Sequence, residues 1–150
     1  MRRFFARLVP PVVLLLVVIG CGGSNDTPTQ PEPPAEIAET FPAEGLGTLT
    51  TNGAFSYPFT VNVVGSMEAQ LVVLKPVDES FPQESAVPVG LALGTWNGSI
   101  CQIVLANDVT KQGDVVDGNT TAVGSFCVRI YDASGTLPRP EAYQITVRHF

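Results

Sequence analysis

The residues of this chain with chemistry to offer are few: three cysteines, one histidine and a run of carboxylates in one stretch. Cys21, Cys101 and Cys127 stand far apart. No C-x-x-C pair occurs, and two thiols with one distant histidine make a poor zinc site. A serine–histidine–aspartate triad would have to use His149, and no G-x-S-x-G elbow accompanies it. His149 therefore reads as an exposed residue at the end of the last strand. Asp108, Asp114, Asp117 and Asn119 crowd residues 107–122, and oxygen-rich loops can hold calcium. The string D-V-V-D-G-N misses the spacing of a calcium-binding helix–loop–helix, so this is a weak metal candidate. Trp96 stands where a strand gives way to Asn97 and Gly98. A tryptophan there is a candidate ligand contact, able to stack on a sugar or anchor a partner. Other acids, such as Asp78 and Glu79, read as solvated turns rather than as a glycosidase pair. No phosphate loop or dinucleotide fingerprint is present, and no cofactor is expected.

The elements that must position these residues are strands. Residues 53–64, GAFSYPFTVNVV, place Phe55, Tyr57, Phe59, Val61 and Val63 on one face. Strict alternation of this kind predicts a half-buried strand. Pro58 lies on the opposite phase and cannot donate to a ladder, so the strand belongs at an edge or carries a bulge. Met67, Ala69, Leu71 and Val73 form a second alternating set, and Val87, Val89, Leu91 and Leu93 a third. Asn97 and Gly98 signal a tight turn into SICQIVLA. Residues 107–122 read as a hydrophilic loop with a short strand at Val115 and Val116. SFCVRIYD and AYQITVRHF complete the set, the last with Tyr143, Ile145 and Val147 on one face. No segment after residue 40 has a helical period. Six to eight strands in about 110 residues predict a single antiparallel β-sandwich, jelly-roll or Greek-key-like, over 41–150.

The first forty residues read differently. MRRFFAR is cationic and LVPPVVLLLVVI is apolar but short, as in a secretory signal peptide, here residues 1–20. A spanning helix needs roughly 20 apolar residues, and Pro10 and Pro11 interrupt this run. The string V-I-G-C at its end resembles the lipobox of bacterial lipoproteins. The resemblance implies cleavage after Gly20 and acylation of Cys21, and two or more acyl chains anchor stably. Gly22, in place of an aspartate there, implies the outer membrane. Residues 21–40 then form the lipidated N-terminus and a linker too polar and proline-rich to build a core.

Acylation of Cys21 leaves two cysteines in an exported protein, which predicts a Cys101–Cys127 disulfide. A chain beginning at Cys21 keeps five of the eight Lys and Arg against all fourteen Asp and Glu, a net charge of −9. Its five cations are scattered, so the basic footprint of nucleic-acid binding is missing.

From Phe55 onward the order FSYPFTVN, MEAQLVVL, VGLALGTWNGSICQI, VGSFCVRIYDASG and YQITVRHF resembles the bacterial pre-peptidase C-terminal domain and related β-sandwich modules. The strongest piece is GSFCVRIYD, residues 124–132, similar to that family's Gly-x-Tyr-x-Val-x-Val strand. The resemblance implies a β-sandwich and an ancillary binding role; unlike many members, this chain is expected to carry no enzyme ahead of the sandwich. The expected function is a non-catalytic, lipid-anchored envelope protein that presents the sandwich as a binding module. Its membrane contact is the N-terminal lipid, and its partner an envelope protein or glycan. A structural spacer or surface coat is the alternative, ahead of a carboxylate-based enzyme.

Overall fold

The computed structural model describes residues 32–78, 80 and 84–150. The expected leader, Cys21 and most of the linker lie outside these residues. Pro33–Phe150 is one compact unit. It holds nine strands and, among the described residues, no helix: β1 Ile37–Phe41, β2 Gly47–Leu49, β3 Ala54–Val61, β4 Gly65–Pro76, β5 Val89–Trp96, β6 Cys101–Thr110, β7 Val115–Thr120, β8 Gly124–Tyr131 and β9 Glu141–His149.

The pairing explains how the chain closes. β5 pairs β6, β4 pairs β7, β3 pairs β8 and β2 pairs β9, all antiparallel. This is one long hairpin with its tip between β5 and β6. Rolling it up brings β9 beside β4 and β8 beside β5. Two sheets result: β3-β8-β5-β6, and β9-β4-β7 edged by β1 and β2, which both pair with β9. That is the jelly-roll form of a β-sandwich. The edge strand β1 begins at Ile37, inside the segment expected to be linker, and pairs with Ile145–His149 of β9.

Alternation supplies the core. Phe59 and Val61 of β3, Leu91 and Leu93 of β5, Val128 and Ile130 of β8, and Tyr143, Ile145 and Val147 of β9 are buried between the sheets. Pro58 indeed lies in an edge strand, since β3 ends its sheet. Two expectations need correction. In β4 the register against β9 slips between Leu71 and Val73. The bulge turns Val72 outward and makes Leu74, not Val73, the buried residue.

The second correction concerns 107–122, which is not a loop. β6 runs on to Thr110, Lys111–Asp114 is a tight turn, and β7 follows. The inward positions of β7 are Val116, Gly118 and Thr120, so only one carries an apolar side chain large enough to signal a strand. Leu105 of β6 covers Gly118. The turn also serves the β4 bulge: Gly113 N–H donates to Leu71 O at 2.7 Å, and Gln112 Oε1 accepts from Leu74 N–H at 2.8 Å.

Candidate functional site

The two cysteines of the sandwich are joined. Cys101 and Cys127 form a disulfide with their Cα atoms 5.7 Å apart. Cys127 lies in β8 opposite Gly94 of β5, and Cys101 opens β6 opposite Trp96 of β5. The bridge thus ties together the two strands that flank β5. Gly94 makes this close approach feasible, because a Cβ there would come within 2.1 Å of the Gln102 backbone oxygen. Gly94→Ala is expected to force β6 off β5 and cost about 1–3 kcal/mol, read as a lower denaturant midpoint. Gly118→Ala should cost less. Its Cβ would meet only the tip of Leu105, which can rotate away.

Trp96 is half-buried at the end of β5, beside this bridge. Its turn is fixed by Asn97, whose Oδ1 accepts from Ser99 N–H at 3.0 Å and Ile100 N–H at 2.8 Å, with Gly98 at φ 98°. Among the described residues, Trp96 does not line the clefts of about 380, 250 and 210 Å³.

The four residues proposed as a weak metal site are not brought together. Asp108 accepts a hydrogen bond from the Tyr131 hydroxyl on the outer face of the β5–β6 sheet. Tyr131 reaches it across Gly90, where a Cβ would meet the ring at 2.4 Å. Burial first, then Asp108, pushes the Tyr131 phenol up to about 12. Asp114 caps the tight turn, accepting from Lys111 N–H at 2.9 Å. Asp117 and Asn119 sit in β7, opposite Glu68 and Ser66 of β4. Among the described residues no three His, Cys, Asp or Glu converge on a metal position.

His149 is a further correction, because it is 1% exposed rather than a free strand end. Its ring stacks on Phe59 at 5.4 Å, and its Nε2 lies 3.0 Å from Glu39 Oε1 on β1. Edge strand β1 is thereby pinned over the core, and the ring is committed to structure.

A cleft of about 380 Å³ opens where β4, β7 and β9 meet, and Glu36, Glu68, Asp117, Arg148 and His149 are among its lining residues. Arg148 lies 2.5 Å from Glu68 and 3.7 Å from Glu36. These pairs are partly exposed and contribute little stability.

Sequence reasoning missed three buried polar groups. Asp132 follows β8, and its carboxylate accepts from Asn52 N–H, Leu137 N–H, Gly135 N–H and the Ser134 hydroxyl at 3.0–3.1 Å. Burial raises its pKa, but these four hydrogen bonds outweigh that and hold it below the usual carboxylate range. Glu141, fully buried at the start of β9, has Arg139 Nε 3.3 Å away. Burial pushes its pKa up against the pull of Ser85 and Arg139. The Tyr57 and Tyr143 hydroxyls meet at 2.6 Å across the two sheets, and burial, then Tyr57, raises the Tyr143 phenol far above its ordinary value. The signal for Asp132 was present in D-A-S-G-T, whose Asp, Ser and Gly favour a side-chain-capped turn.

The chain matches no family model and no curated protein. Among solved structures it is similar to the crystal structure of the Yersinia pseudotuberculosis-derived mitogen, at 16% identity over 78% of this chain and 87% of that one, with a TM-score of 0.46.

Proposed function

We propose that this chain is a bacterial lipoprotein, anchored in the cell envelope through Cys21, that displays the jelly-roll sandwich as a non-catalytic interaction module. The observation that carries the reading is the Cys101–Cys127 bridge. It accounts for two of three cysteines and leaves Cys21 as the one to be acylated. A disulfide fits an exported protein. The short apolar leader ending in V-I-G-C fits the same route. The acidic, proline-rich segment after Cys21 suits a tether that holds the sandwich off the membrane.

Two features favour binding over catalysis. His149 is buried against Phe59 and Glu39, so it is poorly placed for proton transfer to a substrate. The Glu68 carboxylate in the 380 Å³ cleft is paired with Arg148. The envelope placement, with the outer membrane preferred, and the likeness to pre-peptidase C-terminal modules belong to this proposal and rest on sequence. Cells fed an alkynyl palmitate analogue should label this protein, and Cys21→Ala should erase the label. A label that survives Cys21→Ala, or no label on the parent chain, would refute the anchor.

A further inference from the structure

We infer that the cleft between β6 and the β7–β8 turn is a binding site for a small neutral amphiphile, one short hydrocarbon chain with an uncharged polar head. The cleft measures about 250 Å³, and Met67, Leu93, Val104, Leu105, Thr121 and Phe126 are among its lining residues. It exists because β6 and β7, the edges of the two sheets on this side, do not pair. β6 also bulges at Val104, where its register against β5 steps from Leu93/Leu105 to Gly94/Ile103. Bulges of this kind re-aim side chains next to sites. Val104 is thrown out to 69% exposure at the lip.

Polarity is graded from floor to rim. Met67 and Leu93 are buried, and Phe126 is half-buried beside them. Thr95, Asn119 and Thr121 are exposed. The Thr120 hydroxyl donates to Ala122 O at 2.6 Å and accepts from Ala122 N–H at 3.2 Å, so the turn holds itself. No lining residue is charged, in a chain whose net charge is −6. A carboxylate or phosphate head would find no cation here, whereas a hydroxyl or amide head finds hydroxyl and amide partners. Pockets for drug-sized ligands run to roughly 300–1,000 Å³, so this slot suits a shorter molecule.

A partner strand fits less well. The free edge of β6 carries a second register shift opposite Val89 and Leu91, and two irregularities in ten residues interrupt the ladder that an added strand needs. The site does not rest on the lipid anchor, and its loss would leave that reading standing.

The test is a titration of the full chain, methyl-labelled at Met, Leu and Val, with 1-hexanol, 1-octanol, octanoate and an apolar hexapeptide. Octanol should produce saturable shifts at Met67, Leu93, Val104 and Leu105, and none at Leu49 or Leu137. Each added CH₂ should tighten binding roughly two- to fourfold until the slot is full. Octanoate should bind at least about tenfold more weakly, because its carboxylate would give up water without meeting a cation. Ala122→Trp, at an exposed rim position, should abolish the shifts, and Leu105→Ala should move the preferred chain length upward. Unsaturable or dispersed shifts, equal binding of octanoate, shifts that survive Ala122→Trp, an unmoved length preference in Leu105→Ala, or stronger perturbation of β6 by the hexapeptide would each overturn the assignment.

Discussion

Replacing Asp132 by alanine is expected to lower the unfolding free energy by about 3–5 kcal/mol, close to the effect of breaking a buried ion pair. Asp132 is 9% exposed, and its carboxylate serves four donors from two chain segments. One is Asn52 N–H in the β2–β3 turn, where Asn52 holds φ 58°; the others belong to the 134–137 stretch before β9. The same two segments meet again through Thr51 Oγ1, which donates to Leu137 O at 2.7 Å. Removing the carboxylate leaves several N–H groups without an acceptor where water enters poorly. Asp132→Asn should fall between, because its amide nitrogen would face donors. The pH dependence has a definite sign. A carboxylate whose folded pKa is depressed contributes its stability above the ordinary value of roughly 3.9, and that contribution is lost as pH falls through the folded pKa. Denaturant melts between neutral pH and pH 2 should therefore show a stability loss in the parent chain that is flattened in Asp132→Asn. Parallel losses in both would contradict the assignment.

Opening the Cys101–Cys127 bridge should cost a comparable amount. The bridge closes a loop with a sequence separation of 26, for which loop entropy gives roughly 3.5 kcal/mol. For a domain of this size that is a fall in Tm of roughly 10–15 °C. The geometry adds a reason for the loss to be felt locally. β6 is held on one side only, by β5, and Cys101 is its first residue. The double variant Cys101→Ser, Cys127→Ser should keep the sandwich but exchange its β6 amides with solvent much faster than those of β9. Hydrogen exchange by mass spectrometry reads this directly. Uniform acceleration across both sheets would mean that the bridge acts on the unfolded chain alone.

These two sites mark how far the sequence can be read. The architecture was legible where a strand has one apolar face, as in β3, β5 and β9. It was illegible in β7, because a strand with Val116, Gly118 and Thr120 inward spends its burial on one valine and relies on Leu105 from another strand to cover a glycine. The same misreading turned a turn and two strands into an imagined calcium loop. The inward register of β4 was readable up to Leu71, and the bulge after it depends on Gly113 and Gln112, about forty residues away. β1 was hidden in a proline-rich segment, since its place comes from pairing with β9 and from the Glu39–His149 contact rather than from alternation. The cysteine pairing was legible because it follows from the number of cysteines once export is expected. The 250 Å³ cleft was not, because it is made by a register step between β5 and β6 and by two edges that part.

The central claim assigns all three cysteines: Cys21 acylated, Cys101 and Cys127 bonded to each other. Peptide mass mapping of the protein extracted from its native membrane, without reduction, tests it most directly. The account predicts a first peptide that begins at Cys21 and carries the mass of acyl chains, with Cys101 and Cys127 peptides recovered as one linked species. A chain that begins at Met1 with an unmodified Cys21, or a Cys21 bridged to either partner, would contradict it.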